Sequence, residues 1–264
     1  MKIGFIGLGN MATAMIGGII KKELVKPQDI LGSDGSSEAT GKAVKNFGIT
    51  GMDSNVKVAG ESDVLFLSIK PQVYEKVITE IKNSVKENTV IISIAPGKTM
   101  EWIEGLFEGK IKLVRCMPNT PALVGEGCTG VCFNPAVSEE EKSKALELIG
   151  SFSKAIEVAE YLMDVVVGVS GSSPAYVFMF IEAMADAAVA DGMPRKQAYE
   201  FAAQAVLGSA KMVLETGKHP GELKDMVCSP GGTTIAAVKV LEEKGFRSAV
   251  IEAQCACVEK SRSL

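Results

Sequence analysis

The order of apolar and polar positions differs between the two halves of the chain. In the first half, short apolar runs alternate with longer stretches in which apolar residues recur at helical spacing. This alternation predicts βαβ units, in which helices bury both faces of a parallel sheet. The predicted strands are residues 2–7, 30–33, 64–69, 90–94, 111–115 and 129–133, and the predicted helices are residues 12–22, 37–46, 73–86 and 138–150.

From about Glu160 onward, no segment has the pattern of a strand. Helical patterns occupy residues 174–190, 195–215, 233–243 and 246–260. The first of these has small residues on all sides, which is typical of a helix buried against other helices, including those of a second subunit. We therefore expect two domains, a sheet-containing domain over residues 1–158 and an all-helical domain over residues 159–264.

A glycine-rich turn, Gly7-Leu8-Gly9-Asn10-Met11-Ala12, joins the first predicted strand to the first predicted helix. Gly7 permits a tight turn, Gly9 lets the backbone approach a pyrophosphate, and Ala12 allows the helix to pack closely on the strand. The amides at the start of the helix favour an anion. Within a βαβ unit this motif predicts an N-terminal Rossmann-type dinucleotide-binding domain, so the expected fold class is α/β followed by an all-α domain.

The turn after the second strand concerns the choice between NAD and NADP. Asp34 lies about 20 residues beyond the glycine-rich turn, where an acidic side chain binds the ribose 2′-hydroxyl of NAD. Ser33, Ser36 and Ser37 are candidates for binding the 2′-phosphate of NADP instead, although no arginine is nearby. These residue types also favour turns by themselves. The sequence leaves the choice open.

Three further turns follow predicted strands, at the edge of a parallel sheet where ligands bind. Their candidate residues are Lys70 with Pro71, Pro96, and Asn119 with Thr120, the last pair framed by two prolines and placed to meet the nicotinamide. A solvated lysine and rigid proline turns are the alternative interpretations.

Composition narrows the possible functions. Apolar residues make up 47% and charged residues 23% of the 264 residues, which is ordinary for a globular protein and excludes a disordered one. The formal net charge of −4 has the wrong sign for a nucleic-acid binder. Glu182 and Asp186 interrupt the most apolar stretch, so we expect no membrane span.

The cysteines and the histidine do not form the pattern of a metal site. Six cysteines without a secretory signal predict reduced thiols and a cytoplasmic protein. Cys255 and Cys257 would point in different directions on a helix, and His219 is the only histidine, so no metal site is expected.

Two glycine–serine turns precede helices in the second half, around Ser170-Gly171-Ser172 and Ser229-Pro230-Gly231-Gly232. Their amides, with the hydroxyls of Thr233 and Thr234, are suited to hold a carboxylate. Alternatively, their serines and threonines only cap helices.

Five motifs are shared with one known family: GFIGLGNMA from Gly4, SIKPQ from Ser68, RCMPNTPALV from Arg115, VSGSSPAYVF from Val169 and LKDMVCSPGGTTI from Leu223. Over essentially its full length the chain resembles pyrroline-5-carboxylate reductases. The resemblance implies an oxidoreductase that reduces 1-pyrroline-5-carboxylate to L-proline, the last step of proline biosynthesis. It also implies NADPH as cofactor, with NADH as the alternative. The resemblance further implies that the helical domain forms an intertwined homodimer, which is sometimes assembled into decamers. The substrate sites would then lie at the subunit interface.

The resemblance, combined with the turns described above, assigns candidate roles to individual residues. The cofactor-binding set is Ile6, Gly7, Leu8, Gly9, Asn10, Met11, Ser33, Asp34, Gly35, Asn55, Ser68, Ile69, Lys70, Pro71, Pro96 and Asn119. The substrate-binding set is Glu160, Ser229, Gly231, Gly232, Thr233 and Thr234, with Thr234 as the catalytic candidate that hydrogen-bonds the ring nitrogen. Two positions depart from the family pattern. Asp34 stands where the family often has a serine or an arginine-containing turn, and Met226 where some relatives have a cofactor-binding asparagine.

Two other functions fit parts of this pattern. A β-hydroxyacid dehydrogenase would need a lysine soon after the glycine-rich turn of the second half, but no lysine occurs between Lys154 and Lys196. A cofactor-sensing protein would bind NAD(P)H without turnover. Hydride transfer to a protonated imine needs little acid–base catalysis, which agrees with the lack of a candidate catalytic histidine.

Overall fold

The computed structural model describes residues 1–263. In this part of the chain, eight strands form one sheet in the order β3-β2-β1-β4-β5-β6-β7-β8. The strands are β1 (Ile3–Ile6), β2 (Ile30–Ser33), β3 (Thr50–Gly51), β4 (Val64–Leu67), β5 (Val90–Ser93), β6 (Lys112–Met117), β7 (Gly127–Phe133) and β8 (Ser153–Glu157).

The helices lie between the strands in the first half and follow one another in the second. They are α1 (Asn10–Lys21), α2 (Ser37–Phe47), α3 (Asn55–Glu61), α4 (Tyr74–Ile81), α5 (Met100–Phe107), α6 (Glu139–Ile149), α7 (Met163–Val166), α8 (Ser173–Ala190), α9 (Arg195–Thr216), α10 (Pro220–Met226), α11 (Thr233–Glu243) and α12 (Phe246–Arg262). The predicted α/β class and the all-helical second half are confirmed, with no strand among residues 160–263.

One strand pair departs from the parallel arrangement predicted by the alternating pattern. Strands β6 and β7 are antiparallel, with Arg115 opposite Cys132, whereas the other neighbouring strands are parallel. The segment between them contains a short 3-10 turn, Thr120–Val124, but no crossover helix. Because a parallel connection needs a crossover of about a dozen residues or more, this short connection returns in the opposite direction.

Both faces of the sheet are buried, which explains the continuous apolar runs. Ile3 and Phe5 of β1 join one hydrophobic core with α1 and α6, while Ile6 joins a second core with α3, α4 and α5. Alternate residues of a strand point to opposite faces, so one strand supplies both cores. The rings of Phe5 and Phe66 stack with centroids 4.6 Å apart and bind β1 to β4.

Several predicted bounds were wrong, and some short elements were missed. Helix α4 ends at Ile81 instead of Lys86, because a turn formed by backbone bonds from Ser84 and Val85 to Ile81 follows it. The sequence patterns did not predict α3, α5, α10 or β8. The segment before α8 also proved helical, including a π-helical stretch at Val167–Gly171.

The described chain forms two compact units. One comprises Met1–Ser172 together with the end of the chain from Cys257, and the other comprises Ser173–Ala256. The first contains the whole sheet. A domain boundary after residue 158 stays a prediction.

The helical unit buries few of its own side chains. Ala185 is the buried residue of α8, Ala198 and Ala202 are those of α9, and α11 has none in this chain. Large apolar residues stand exposed instead, among them Phe178, Met179, Phe201, Leu214 and Ile251.

Candidate active site

A groove opens in the first unit where the chain direction across the sheet reverses. Strand β1 lies between β2 and β4, and its last residue, Ile6, pairs with Ser33 on one side and with Leu67 on the other. Ligands of open α/β sheets bind outside the carboxyl ends of strands at such a switch point. The groove there has a volume of about 410 Å³. It is lined by Ile6, Gly7, Gly9, Asp34, Gly35, Asn55, Ser68, Ile69, Lys70, Val73, Lys76, Val77 and Glu80. Nine predicted cofactor residues are therefore brought together: Ile6, Gly7, Gly9, Asp34, Gly35, Asn55, Ser68, Ile69 and Lys70.

The glycine-rich turn has the backbone that a pyrophosphate site requires. Gly7 has a φ of +92°, and a Cβ there would lie 2.5 Å from the carbonyl oxygen of Ser68. The Ser68 hydroxyl donates to the Gly7 carbonyl at 2.6 Å and fixes the turn against the end of β4. A Cβ on Gly9, by contrast, would meet no atom within 4 Å. Gly9 precedes α1, whose N-terminus has no side-chain cap. The open space over uncapped amides fits an anion such as a pyrophosphate.

The carboxylate of Asp34 is fixed by backbone amides on both sides. Its Oδ2 accepts a hydrogen bond from the amide of Leu8 at 2.7 Å, and its Oδ1 accepts one from the amide of Ser36 at 2.8 Å. Asp34 therefore joins the turn after β2 to the glycine-rich turn. This contact joins two predicted cofactor residues far apart in sequence.

A short chain of side-chain hydrogen bonds crosses the same groove. The hydroxyl of Ser33, which is only 2% exposed, donates to Asn55 Oδ1 at 2.8 Å. The amide nitrogen of Asn55 donates to Glu80 Oε2 at 2.9 Å. The predicted role of Ser33 in binding phosphate stays a prediction, and its hydroxyl already has a partner within the chain.

Other predicted cofactor residues lie outside the lining of this groove. The side chain of Leu8 packs in the first hydrophobic core, whereas Asn10 is exposed and Met11 half-buried at the start of α1. Pro71 begins a 3-10 turn and Pro96 follows β5. Asn119 is buried, donates to the Ser170 carbonyl at 2.9 Å and accepts from the Cys128 amide at 2.8 Å. Contacts of these residues with a cofactor stay predictions.

Glu160 belongs to a polar cluster inside the first unit. Its Oε1 accepts from the amide of Met100 at 2.6 Å and from Arg115 Nη1 at 3.0 Å. Met100 is the first residue of α5, so Glu160 satisfies one of the amides that a helix start leaves unpaired. Arg115 is buried on β6, and the ion pair gives its charge a partner. A contact between Glu160 and substrate stays a prediction.

A buried tyrosine, which sequence reasoning missed, fixes the strand ends near the groove. The Tyr74 hydroxyl donates to the Leu67 carbonyl at 2.7 Å and lies 3.0 Å from the Ser93 hydroxyl. Burial raises the pKa of Tyr74 well above its ordinary value, although the Ser93 hydrogen bond opposes this. Tyr74 therefore stays neutral and holds the ends of β4 and β5 together.

The candidate carboxylate turn in the second unit is preformed. The amide of Gly232 donates to the Ser229 carbonyl at 3.0 Å, and Gly231 has a φ of +68°. Pro230 followed by a residue with positive φ is the arrangement of a type II turn. Gly232 is the N-cap residue of α11, and no side chain caps this helix. Thr233 and Thr234 are its first two residues, so neither occupies the capping position.

Two of the six cysteines are buried in strands, and the single histidine caps a helix. Cys116 and Cys132 are buried in β6 and β7, and burial raises the pKa of Cys132 to about 11, with the nearby Glu160 adding to the effect. His219 is the N-cap residue of α10 and accepts from the Gly221 amide. Over residues 1–263, no group of three or more His, Cys, Asp or Glu side chains is arranged to hold a metal ion.

Family models match both parts of the chain. Residues 160–264 match the model described as pyrroline-5-carboxylate reductase dimerisation. Residues 2–97 match the model described as NADP oxidoreductase, coenzyme F420-dependent.

Full-length relatives carry one consistent name. A pyrroline-5-carboxylate reductase from Escherichia coli is 54% identical, covering 100% of this chain and 98% of its own. A pyrroline-5-carboxylate reductase from Methanosarcina acetivorans is 45% identical, covering 100% of this chain and 97% of its own. The crystal structure of Plasmodium falciparum pyrroline carboxylate reductase with NADP bound is 33% identical in sequence and has a TM-score of 0.91. The match covers 100% of this chain and 97% of that one. On these similarities, together with the groove and the turn described above, the chain belongs to the pyrroline-5-carboxylate reductase family.

Proposed function

We propose that this protein reduces 1-pyrroline-5-carboxylate to L-proline with NAD(P)H, as the last step of proline biosynthesis. The observation that carries the proposal is the open glycine-rich groove at the switch point, in a chain 54% identical to a reductase of that name. In this reaction, NAD(P)H supplies a hydride to the imine carbon, C5 of the ring. The protonated imine nitrogen becomes the amine of proline, so no acid need act on the ring during the transfer.

The residues of the first unit hold the cofactor. The uncapped amides at the start of α1 bind the pyrophosphate, and the space beside Gly9 admits it. Asn55, Ile69 and Lys70 line the groove on either side of the glycine-rich turn. The bonds from Ser68 and Asp34 keep that turn in place without the cofactor. This preorganisation lowers the entropy lost when the cofactor binds.

The turn after α10 holds the substrate. Ser229, Gly231 and Gly232 shape the backbone around the carboxylate, and the free amides at the start of α11 attract its charge. The hydroxyl of Thr233 adds a hydrogen bond to the carboxylate. Thr234 hydrogen-bonds the ring nitrogen and orients the imine for hydride transfer.

The protein acts as a cytoplasmic homodimer in this proposal, with the decamer as the further assembly that the resemblance implies. Support comes from the dimerisation family and from the exposed apolar residues of α8 and α9. The run Glu160–Ala190 is long and apolar enough to cross a membrane, and 11% of its most apolar window is buried in this chain. A partner subunit that covers this run accounts for its apolar surface equally well.

Turnover with the purified full chain tests the proposal. We expect NAD(P)H oxidation to depend on added 1-pyrroline-5-carboxylate and to yield L-proline in equal amount. Binding of NAD(P)H without oxidation would favour a cofactor-sensing protein instead. NAD(P)H oxidation with an added 3-oxoacid, which hydride transfer converts to a β-hydroxyacid, but not with 1-pyrroline-5-carboxylate would favour the β-hydroxyacid dehydrogenase instead.

A further inference from the structure

The carboxylate of Asp34 has a fixed position at the rim of the cofactor groove. Two amides, those of Leu8 and Ser36, hold its two oxygens at 2.7 and 2.8 Å. An ionised carboxylate has about four acceptor sites. Two hydrogen bonds therefore leave it able to accept another from a ligand.

This carboxylate faces two neighbouring spaces. It lines the groove of about 410 Å³ described above and a second groove of about 720 Å³ between α2 and the segment after β3. The charged groups of the first are Asp34, Glu80, Lys70 and Lys76, and those of the second are Asp34, Asp53 and Lys45. In the described part of the chain, no arginine lines either space.

The lysines of the two grooves do not outnumber the carboxylates. Lys70 and Lys76 accompany Asp34 and Glu80 in the first groove, and Lys45 accompanies Asp34 and Asp53 in the second. Glu80 is held towards the groove by its bond from Asn55, so it adds a second carboxylate. Asp53 is paired with Lys57 on the surface. A bidentate arginine contact, the strongest recognition that proteins offer a phosphate, is missing from this lining.

We propose that Asp34 is a specificity-determining residue that makes this reductase prefer NADH to NADPH. The carboxylate accepts a hydrogen bond from the adenosine ribose, as acidic residues after the second strand do in NAD-binding folds. It repels a 2′-phosphate at the same place. The inference rests on the NAD(P)H use proposed above and does not depend on which imine is reduced.

Binding measurements on the full chain without substrate test this inference. Fluorescence titration gives the Kd values of NADH and NADPH, and their ratio is the quantity of interest. We expect NADH to bind about tenfold more tightly or better, which corresponds to about 1.4 kcal/mol. AMP should likewise compete with NADH more effectively than adenosine 2′,5′-bisphosphate, which carries the additional phosphate.

Matched variants separate the effect of the Asp34 charge on cofactor choice from a structural effect of the substitution. Asp34→Asn keeps the size of the side chain and an acceptor oxygen, and it should shift the ratio about tenfold towards NADPH. Asp29→Asn removes the same charge at the opposite end of β2 and should leave the ratio unchanged. Gly35→Arg places a cation where a Cβ meets no atom within 4 Å, and it should also favour NADPH.

A looser glycine-rich turn in Asp34→Asn would not by itself change the ratio of the NADH and NADPH Kd values. Asp34→Asn weakens a bond to Leu8 and can lower both affinities, but both cofactors share the pyrophosphate, so the ratio is unaffected. Equal or tighter binding of NADPH by the unaltered protein would overturn the inference, as would an unchanged ratio in Asp34→Asn. Selective NADH binding without imine reduction would instead contradict the proposed function alone.

Discussion

At the scale of single residues, Gly9 is the position where the space for the cofactor can be tested without disturbing the fold. A valine at Gly9 meets no atom of the chain at its Cβ, so Gly9→Val should fold. Its branched side chain occupies the approach of the pyrophosphate, and NAD(P)H binding should be lost. Calorimetry on the folded variant measures this.

The matched control is Gly105→Val in α5, where a Cβ also meets nothing and which lies outside the groove. This variant should bind NAD(P)H normally. Unchanged affinity in Gly9→Val would show that the glycine-rich turn is not the cofactor site.

Thr234 tests the proposed role of the substrate-binding turn. Loss of a hydrogen bond to a charged ring nitrogen should lower kcat/KM about 10- to 150-fold in Thr234→Ala. Because Gly232 is the N-cap residue of α11, the melting temperature should change little. Kinetics, melting and NAD(P)H affinity are measured on one preparation, with Thr234→Ser as the variant that keeps the hydroxyl. A lower melting temperature with normal kcat/KM would reduce Thr234 to a structural role.

At the scale of elements, helix α6 begins with a capping box formed by Ser138 and Glu141. The Ser138 hydroxyl accepts from the Glu141 amide, and Glu141 accepts from the Ser138 amide and from Lys112. Partial burial by itself would raise the pKa of Glu141, but the bonds from Lys112 and Ser138 outweigh it and lower the pKa. The stabilisation is therefore present above the ordinary carboxyl range and is lost as the pH falls through the lowered pKa.

Glu141→Gln should accordingly destabilise the protein by about 0.5–1 kcal/mol at neutral pH and by less in acid. Denaturant unfolding at several pH values measures the difference, with Glu147→Gln, exposed on the same helix, as the control. A difference that persists unchanged at acid pH would contradict a contribution from the ionised carboxylate.

Elements differ in how well the sequence predicted them. Strand β2 and helix α11 have the predicted bounds, because a strand buried on both faces and a helix framed by glycines leave clear local patterns. Helices α3 and α5 have only seven and eight residues, too few for a clear periodicity. Their signals were the caps Ser54 and Thr99. The pairings of Leu8 with Asp34 and of Arg115 with Glu160 join distant segments, so no local pattern could reveal them.

At the scale of the whole molecule, the exposed apolar residues of the helical unit predict at least a dimer. Phe178 is 59% exposed and Phe201 67% exposed in the single chain, and such residues rarely remain in water. Light scattering should give a mass of two chains or a multiple of it, without detergent. Phe201→Glu should weaken the assembly, whereas Glu200→Gln beside it should not. A stable and active monomer would contradict this account.

The transfer of hydride to the imine carbon tests the central claim most directly. The full chain is supplied with 1-pyrroline-5-carboxylate and with NAD(P)H deuterated at one or the other face of C4. Mass spectrometry and NMR then locate the label in the product. The account predicts L-proline carrying one deuterium at C5 from one of the two labelled cofactors. Proline without deuterium from both, or label at another carbon, would contradict it.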